Sequence, residues 1–340
     1  MNILVTGALG YIGSNTTIKL IESGYKLYLL DNLHNSSIDT LNKIEKITKK
    51  KQTFIEADIR DHNEINNILK KYKIETIFHF AGLKSVKESE NSPEKYFEVN
   101  FEGSKNLIDG LNLQKIKKKI FIFSSSACVY GNPKKLPYKE DHPLSPENAY
   151  GKTKLKVELY LKQTSLSNTN WQAIALRYFN PIGAHSSGFL GDNPLNDTPE
   201  NLMPYISRVA LGKLTHLEIF GSDYDTNDGT PVRDYIHIED LAEGHLAAFN
   251  FLKNKKNDVY EEINLGKGKG YSVLELVETF QKINKINIPY EFSKRRLGDI
   301  SKYYADVEKS KNLLGWKTKK TLEEMCKSSW EFEKKLKENE

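Results

Sequence analysis

No stretch of the 340 residues approaches the roughly 18 consecutive apolar positions that a membrane-spanning helix needs, so no membrane association is expected. Cysteine is scarce. Cys128 and Cys326 are too few for a disulfide framework and too far apart for a metal motif, which reads as a reducing compartment, the cytoplasm, with no metal called for. No leader is expected either, because the apolar run "NILV" that reads as the first strand opens at residue 2. The sequons at Asn15 ("NTT") and Asn196 ("NDT") are accordingly expected to be inert. Nor is there a block of one charge. The net charge is +5, but lysines alternate with glutamates in "KVELYLK" and "EFEKKLKENE", so no nucleic-acid surface is expected. There are no internal repeats.

What is present is a soluble, globular composition, 38% hydrophobic and 28% charged, on a chain long enough for two lobes. Short apolar runs, "NILVTG", "LYLLDN", "TFIEADI", "TIFHFAG", "KIFIFSSS" and "AIALRYFN", read as strands. Amphipathic stretches beginning near Tyr11, Asn63, Pro93 and Tyr150 read as helices between them. That alternation predicts an α/β fold, a Rossmann-type doubly wound parallel sheet covered on both faces. Beyond Asn180 the texture turns to Pro, Gly, Asp and Asn. "RDYIHIEDLAEGHLAAF" then supplies a strand and helix expected to rejoin the first sheet. The expected division is residues 1–180 with 234–262 as a dinucleotide-binding domain, and 181–233 with 263–340 as a smaller mixed α/β substrate domain. The last helix is expected to start at a Thr321/Glu324 capping box and to bury Cys326 as core.

"LVTGALGYIGS" places Gly7, Gly10 and Gly13 between a strand and a helix. Glycines there allow a tight turn and let a pyrophosphate reach the free N–H groups of the helix start. Asp31 follows at the end of the next strand, 18 residues past Gly13, where an acid can hold the adenosine ribose hydroxyls and repel the extra phosphate of NADP. The cofactor is therefore expected to be NAD. Asp58 and Ile59 in "EADIR" would flank the adenine; Ala81 and Gly82 in "HFAGLKSV" would lie near the ribose, with Lys84 beyond.

"SSSACVYG" at 124–131 poses a question, because a serine and a cysteine at a strand end suggest a nucleophile. No G-x-S-x-G elbow surrounds Ser126, which argues against an acyl nucleophile. Tyr150 and Lys154, in "YGKTK", are four apart and share one helix face. A lysine cation, with the positive nicotinamide ring, would stabilise a phenolate and make Tyr150 a base. Ser126 would hold a substrate oxygen and relay its proton to Tyr150. Cys128 reads as a small packing residue.

"TGALGYIGS", "HFAGLKSV", "FIFSSSACVYG", "YGKTK", "LRYFNPIGAH", "ENLMPYI", "VRDYIHIEDLA" and "RRLGDISKYYAD" together resemble the UDP-glucose 4-epimerase family of extended short-chain dehydrogenases/reductases along nearly the whole chain. The resemblance implies an isomerase that exchanges UDP-glucose and UDP-galactose through a 4-keto sugar, with NAD held throughout, and a homodimer joined by helices near 96–112 and 151–165. It implies further cofactor contacts at Tyr11, Ile12, Asn32, Asn35, Ser36, Phe80, Asn100, Ser124 and Phe179, besides Tyr150 and Lys154. For the UDP-hexose it implies Lys84, Ser126, Tyr150, Asn180, Asn201, Leu202, Phe220, Arg233, Arg296, Asp299 and Tyr303, where guanidinium groups suit a diphosphate and Tyr303 would limit the sugar's C2 substituent. Two departures stand out: bulky Leu9 in the glycine loop, expected to alter the cofactor fit, and Cys128 where threonine is usual. A 4,6-dehydratase on this scaffold would need acids where Ala127 and Cys128 stand, and a non-catalytic dinucleotide sensor would not need Ser126, Tyr150 and Lys154 together.

Overall fold

The computed structural model describes residues 1–133, 135–194, 199–296 and 298–338; Asn196 lies outside them. Six strands, β1 (Ile3–Thr6), β2 (Leu27–Asp31), β3 (Thr53–Glu56), β4 (Thr76–His79), β5 (Lys119–Ser126) and β6 (Trp171–Tyr178), match the six apolar runs. All but β3 are almost entirely buried, as near-continuous apolar runs in a doubly covered parallel sheet should be. With β10 (Val259–Leu265) at one edge the strand order is β10-β6-β5-β4-β1-β2-β3, all parallel, so the order reverses between β1 and β4. Ligands bind at such a crevice, beyond the carboxyl ends of the strands. The glycine turn, the end of β4 and the serines of β5 all lie at that edge.

The smaller sheet joins β7 (Asn180–Ile182), β9 (Val232–His237), β11 (Gly270–Ser272) and β13 (Lys302–Tyr303), and a separate pair joins β8 (Leu217–Phe220) to β12 (Tyr290–Ser293). Here the expected organisation needs correction. The strand in "RDYIHIEDLA" is β9, and its pairings with β7, β11 and β13 keep it in the smaller sheet. The helix after it, Ile238–Asn254, does pack on the first sheet, against the helix Tyr11–Glu22. It is β10 (Val259–Leu265) that takes the free edge of β6, driven by fully buried Ile263 and Leu265. "AIALRYFN" likewise breaks: β6 ends at Tyr178 and β7 starts at Asn180, so Phe179 sits at the passage between sheets.

In the first half of the chain two helices were not foreseen, Ile38–Thr48 and Val86–Asn91, each capped by a serine, Ser37 or Ser85; beyond it Leu202–Ala210, Val273–Asn284 and Glu308–Leu314 were not foreseen either. The segment from Pro93 runs as a helix to Tyr96, widens into a π-helical turn over Phe97–Glu102, and continues as Gly103–Asn112. The final helix, Leu322–Glu338, has the capping box, with Thr321 and Glu324 bonded reciprocally, and Cys326 is fully buried. Among the described residues no helix is long and apolar enough to cross a membrane.

Candidate active site

The glycine turn is built by close approach. Gly7 has φ +65°, and a Cβ there would lie 2.5 Å from the Ala81 backbone nitrogen; a Cβ at Gly13 would lie 2.1 Å from the Gly7 carbonyl oxygen. Only glycine fits, and the helix Tyr11–Glu22 starts with Gly10 at its N-cap and no side chain bonding its free N–H groups. Those donors remain for an anionic group. Leu9 does not crowd this turn. Its side chain is buried in the core, while its N–H donates 2.9 Å to Asp31 Oδ2. Asp31 also accepts from Leu33 N–H and from Ser36 Oγ at 2.8 Å, so it braces the turn from inside.

A cavity of about 620 Å³ opens over this edge. Of the residues expected to contact cofactor or substrate, all line it except Asn100 and Tyr303. Asn100, on the π-helical turn, is buried behind the wall: its Oδ1 accepts from Leu83 N–H at 2.7 Å, and its Nδ2 donates to Leu83 O and Thr153 Oγ1. It shapes the loop after β4 from behind. Tyr303 packs against Phe179 and Tyr138, with ring centroids 5.0 Å apart in both cases, so it backs a cavity-lining ring.

At the end of the cavity where the adenine is expected, Asn32 Nδ2 donates to Asp58, and Arg60, which the sequence reading passed over, clamps the same carboxylate. Arg60 holds the Asp58 pKa down to about 2 and pairs with Glu98 as well. Its signal was its position directly after "ADI".

At the cavity floor, Lys154 is buried; its Nζ donates 2.9 Å to the Ser124 carbonyl and lies 5.6 Å from the Tyr150 ring centroid. Burial lowers the Lys154 pKa to about 8. The expected depression of the Tyr150 pKa is not produced by the protein's own groups. Burial, and then the Cys128 thiol, push the phenol above its ordinary value, and the Ser126 hydroxyl offsets only part of this. Cys128 is more than packing: it lines the cavity, and its N–H donates 3.2 Å to Ser126 Oγ.

The opposite wall carries the cations. Arg233 is paired with Asp299 rather than with its neighbour Asp234, whose carboxylate accepts from three backbone N–H groups of Lys267, Gly268 and Ala305. The Arg296 guanidinium lies 4.0 Å from the Phe220 ring centroid. Lys84 bridges to Asp192 at 3.3 Å, and Asn201 Nδ2 donates to the same carboxylate at 2.9 Å. Asn180 lines the cavity, and its buried Oδ1 has no hydrogen-bond partner among the described residues. A buried acceptor left unpaired is costly, which suits a bound donor. Tyr11 ties the two walls together by donating 2.7 Å to Gly183 O.

A family model described as GDP-mannose 4,6 dehydratase matches residues 4–329. The chain is 48% identical to the UDP-glucose 4-epimerase of Bacillus subtilis (strain 168), over 98% of this chain and 97% of that one. Among solved structures, the UDP-glucose-4-epimerase of Stenotrophomonas maltophila with bound NAD and formylated UDP-arabinopyranose is 39% identical, with a TM-score of 0.95 and full coverage of both chains. The Bifidobacterium longum UDP-glucose 4-epimerase in complex with NAD+ and UDP is 41% identical, with a TM-score of 0.92 and 98% of both chains covered.

Proposed function

The chain belongs to the UDP-glucose 4-epimerase family of extended short-chain dehydrogenases/reductases, and from that premise we propose how its residues interconvert UDP-glucose and UDP-galactose. The observation that carries the reading is Ser126, Tyr150 and Lys154 on the floor of one cavity, between a glycine turn and a wall bearing Arg233 and Arg296. The turn suits a dinucleotide because Gly7 and Gly13 let the backbone close too tightly for any Cβ, which sets the helix start, with its free N–H groups, at the cavity. NAD held there would supply a reversible hydride acceptor for C4 and a positive charge near Tyr150. Tyr150 takes the proton of the sugar 4-hydroxyl as that carbon is oxidised and returns it after re-reduction. Ser126 holds the reacting oxygen, and Lys154 keeps a cation near the phenol. Arg233 and Arg296 hold the diphosphate while the 4-keto sugar turns to present its other face.

The two sheets correspond to a cofactor lobe and a substrate lobe. Exposed Leu113, Leu159 and Leu166, on or beside the helices Gly103–Asn112 and Ala149–Ser167, favour a homodimer contact on that face. The cytoplasm is the proposed compartment, since Cys128 and Cys326 are both free thiols. A dehydratase is disfavoured by Ala127 and Cys128, where it would need acids. The test is incubation of the purified protein with UDP-galactose and separation of products by chromatography. UDP-glucose is expected; a 4-keto-6-deoxy sugar, or no product, refutes the proposal.

A further inference from the structure

Tyr150, Lys154 and Glu158 stand four residues apart on the helix Ala149–Ser167, one line along the face turned to β5. Glu158 has no part in the chemistry above, yet its side chain is only 2% exposed. Its carboxylate accepts from Ser125 Oγ, and from Arg177 Nε at 3.1 Å and Nη2 at 2.7 Å. Ser125 and Arg177 are register partners across β5 and β6, so one carboxylate spans both strands. Arg177, 1% exposed, spends its Nη1 on Tyr130 OH at 3.0 Å and Glu140 O at 3.1 Å, and Tyr130 donates onward to Asn264 on β10. Burying such a pair brings little net stability against apolar residues of the same volume, so its use needs another reason.

The surroundings of Lys154 supply one. On its own helix it faces Tyr150 and Glu158; from the turn after β5, Cys128; from β5, the Ser124 carbonyl and the Phe123 ring. From β4 it faces His79, which burial keeps neutral with a pKa of about 3, and from β6 Arg177 stands behind Glu158. Glu158 is the one carboxylate in that set. We propose that Glu158, braced by Arg177 and Ser125, is a positioning residue: it holds the helix in register on the serine end of β5 and keeps Lys154 protonated beside Tyr150. This rests on the epimerase reading. Burial draws the Lys154 proton affinity down; Cys128 and then Glu158 oppose it, and of the two only Glu158 is a carboxylate. The sign follows: without the carboxylate, and with Arg177 left uncompensated, Lys154 loses its proton at lower pH.

The test is Glu158→Gln, which keeps the shape and removes the charge. The alkaline limb of the kcat/KM profile with UDP-galactose is expected to move down by about one pH unit or more. Competitive acetylation of Lys154 against pH, read by mass spectrometry, should move with it. The double variant Glu158→Gln/Arg177→Gln leaves no charge unpaired and carries the same readouts should the single variant fail to fold; its limb is expected between the two. An unmoved limb and an unmoved Lys154 titration, with turnover lowered equally at every pH, overturn the proposal and leave Glu158 as packing. Wild-type turnover tests the epimerase reading separately, because the acetylation curve reports on Glu158 even if no sugar is epimerised.

Discussion

Asp31→Ala should do two things at once, and the structure sets the size of each. A carboxylate offers about four acceptor positions. Three are used by Leu9 N–H, Leu33 N–H and Ser36 Oγ, so roughly one remains for a ribose hydroxyl. Losing one hydrogen bond to a charged group costs about 1.5–3 kcal/mol, or roughly ten- to a hundredfold in NAD affinity. Removing the acid also strands the buried Leu9 N–H, which adds about 1–3 kcal/mol of instability to the glycine turn. NADP should gain little, because the nearby cation, Arg60, is already held by Asp58 and Glu98. The assay is calorimetric titration of NAD and NADP into stripped protein, with thermal melts of both variants. An Asp31→Ala protein with unchanged NAD affinity and an unchanged melt would refute the reasoning. So would a wild-type protein that binds NADP more tightly than NAD.

Tyr150→Phe keeps the ring that packs at the cavity floor and removes the proton acceptor; turnover should fall about 10²–10⁴-fold with NAD binding intact, and near-normal turnover would remove Tyr150 from its role. UDP-N-acetylhexosamines should be poorer substrates than UDP-galactose by about one to two decades, the cost of roughly 1–3 kcal/mol of overpacking. Tyr303→Cys, which removes the ring behind Phe179, should narrow that gap; equal kcat/KM for both sugar classes in the unmodified protein would end the size-gate argument. Asp192→Asn frees Lys84 and Asn201, and because Lys84 is exposed the gain in UDP-galactose binding should be no more than about 1 kcal/mol, read as a lower Kd; weaker binding would show that Asp192 helps hold the ligand.

The first sheet was legible because its signal is local. Strands buried on both faces must be apolar throughout, so β1, β2, β4, β5 and β6 stood out as runs, and the glycine turn followed from its place between strand and helix. The smaller sheet was not, because its strands are short and their partners are set by distant residues. "VRDYIH" reads the same whether it joins β6 or β7, and only the competition of β10 for the edge of β6 decides. Side-chain partners were hidden for a similar reason. Glu158 and Arg177 are 19 positions apart, and nothing in their spacing says that they meet. The raised proton affinity of Tyr150 was missed because i,i+4 spacing indicates proximity, whereas burial decides the sign.

Each cation that faces the cavity from the substrate side is already engaged: Lys84 by Asp192, Arg233 by Asp299, Arg296 by the Phe220 ring. On the proposed reading a diphosphate would exchange one partner for another on each, and the net gain would be smaller than a count of cations suggests. That arrangement suits the reaction. UDP-glucose and UDP-galactose differ only at C4, so every contact to the diphosphate is made equally by substrate and product. Binding shared in this way lowers KM without lowering the barrier, and in excess it would slow release in both directions. Selective stabilisation has to come from groups that touch C4 and its oxygen, which on the proposed reading are Ser126 and Tyr150, with Lys154 behind them. On that reading turnover depends on the charge state of Lys154, which the proposed role of the buried Glu158 carboxylate is to maintain.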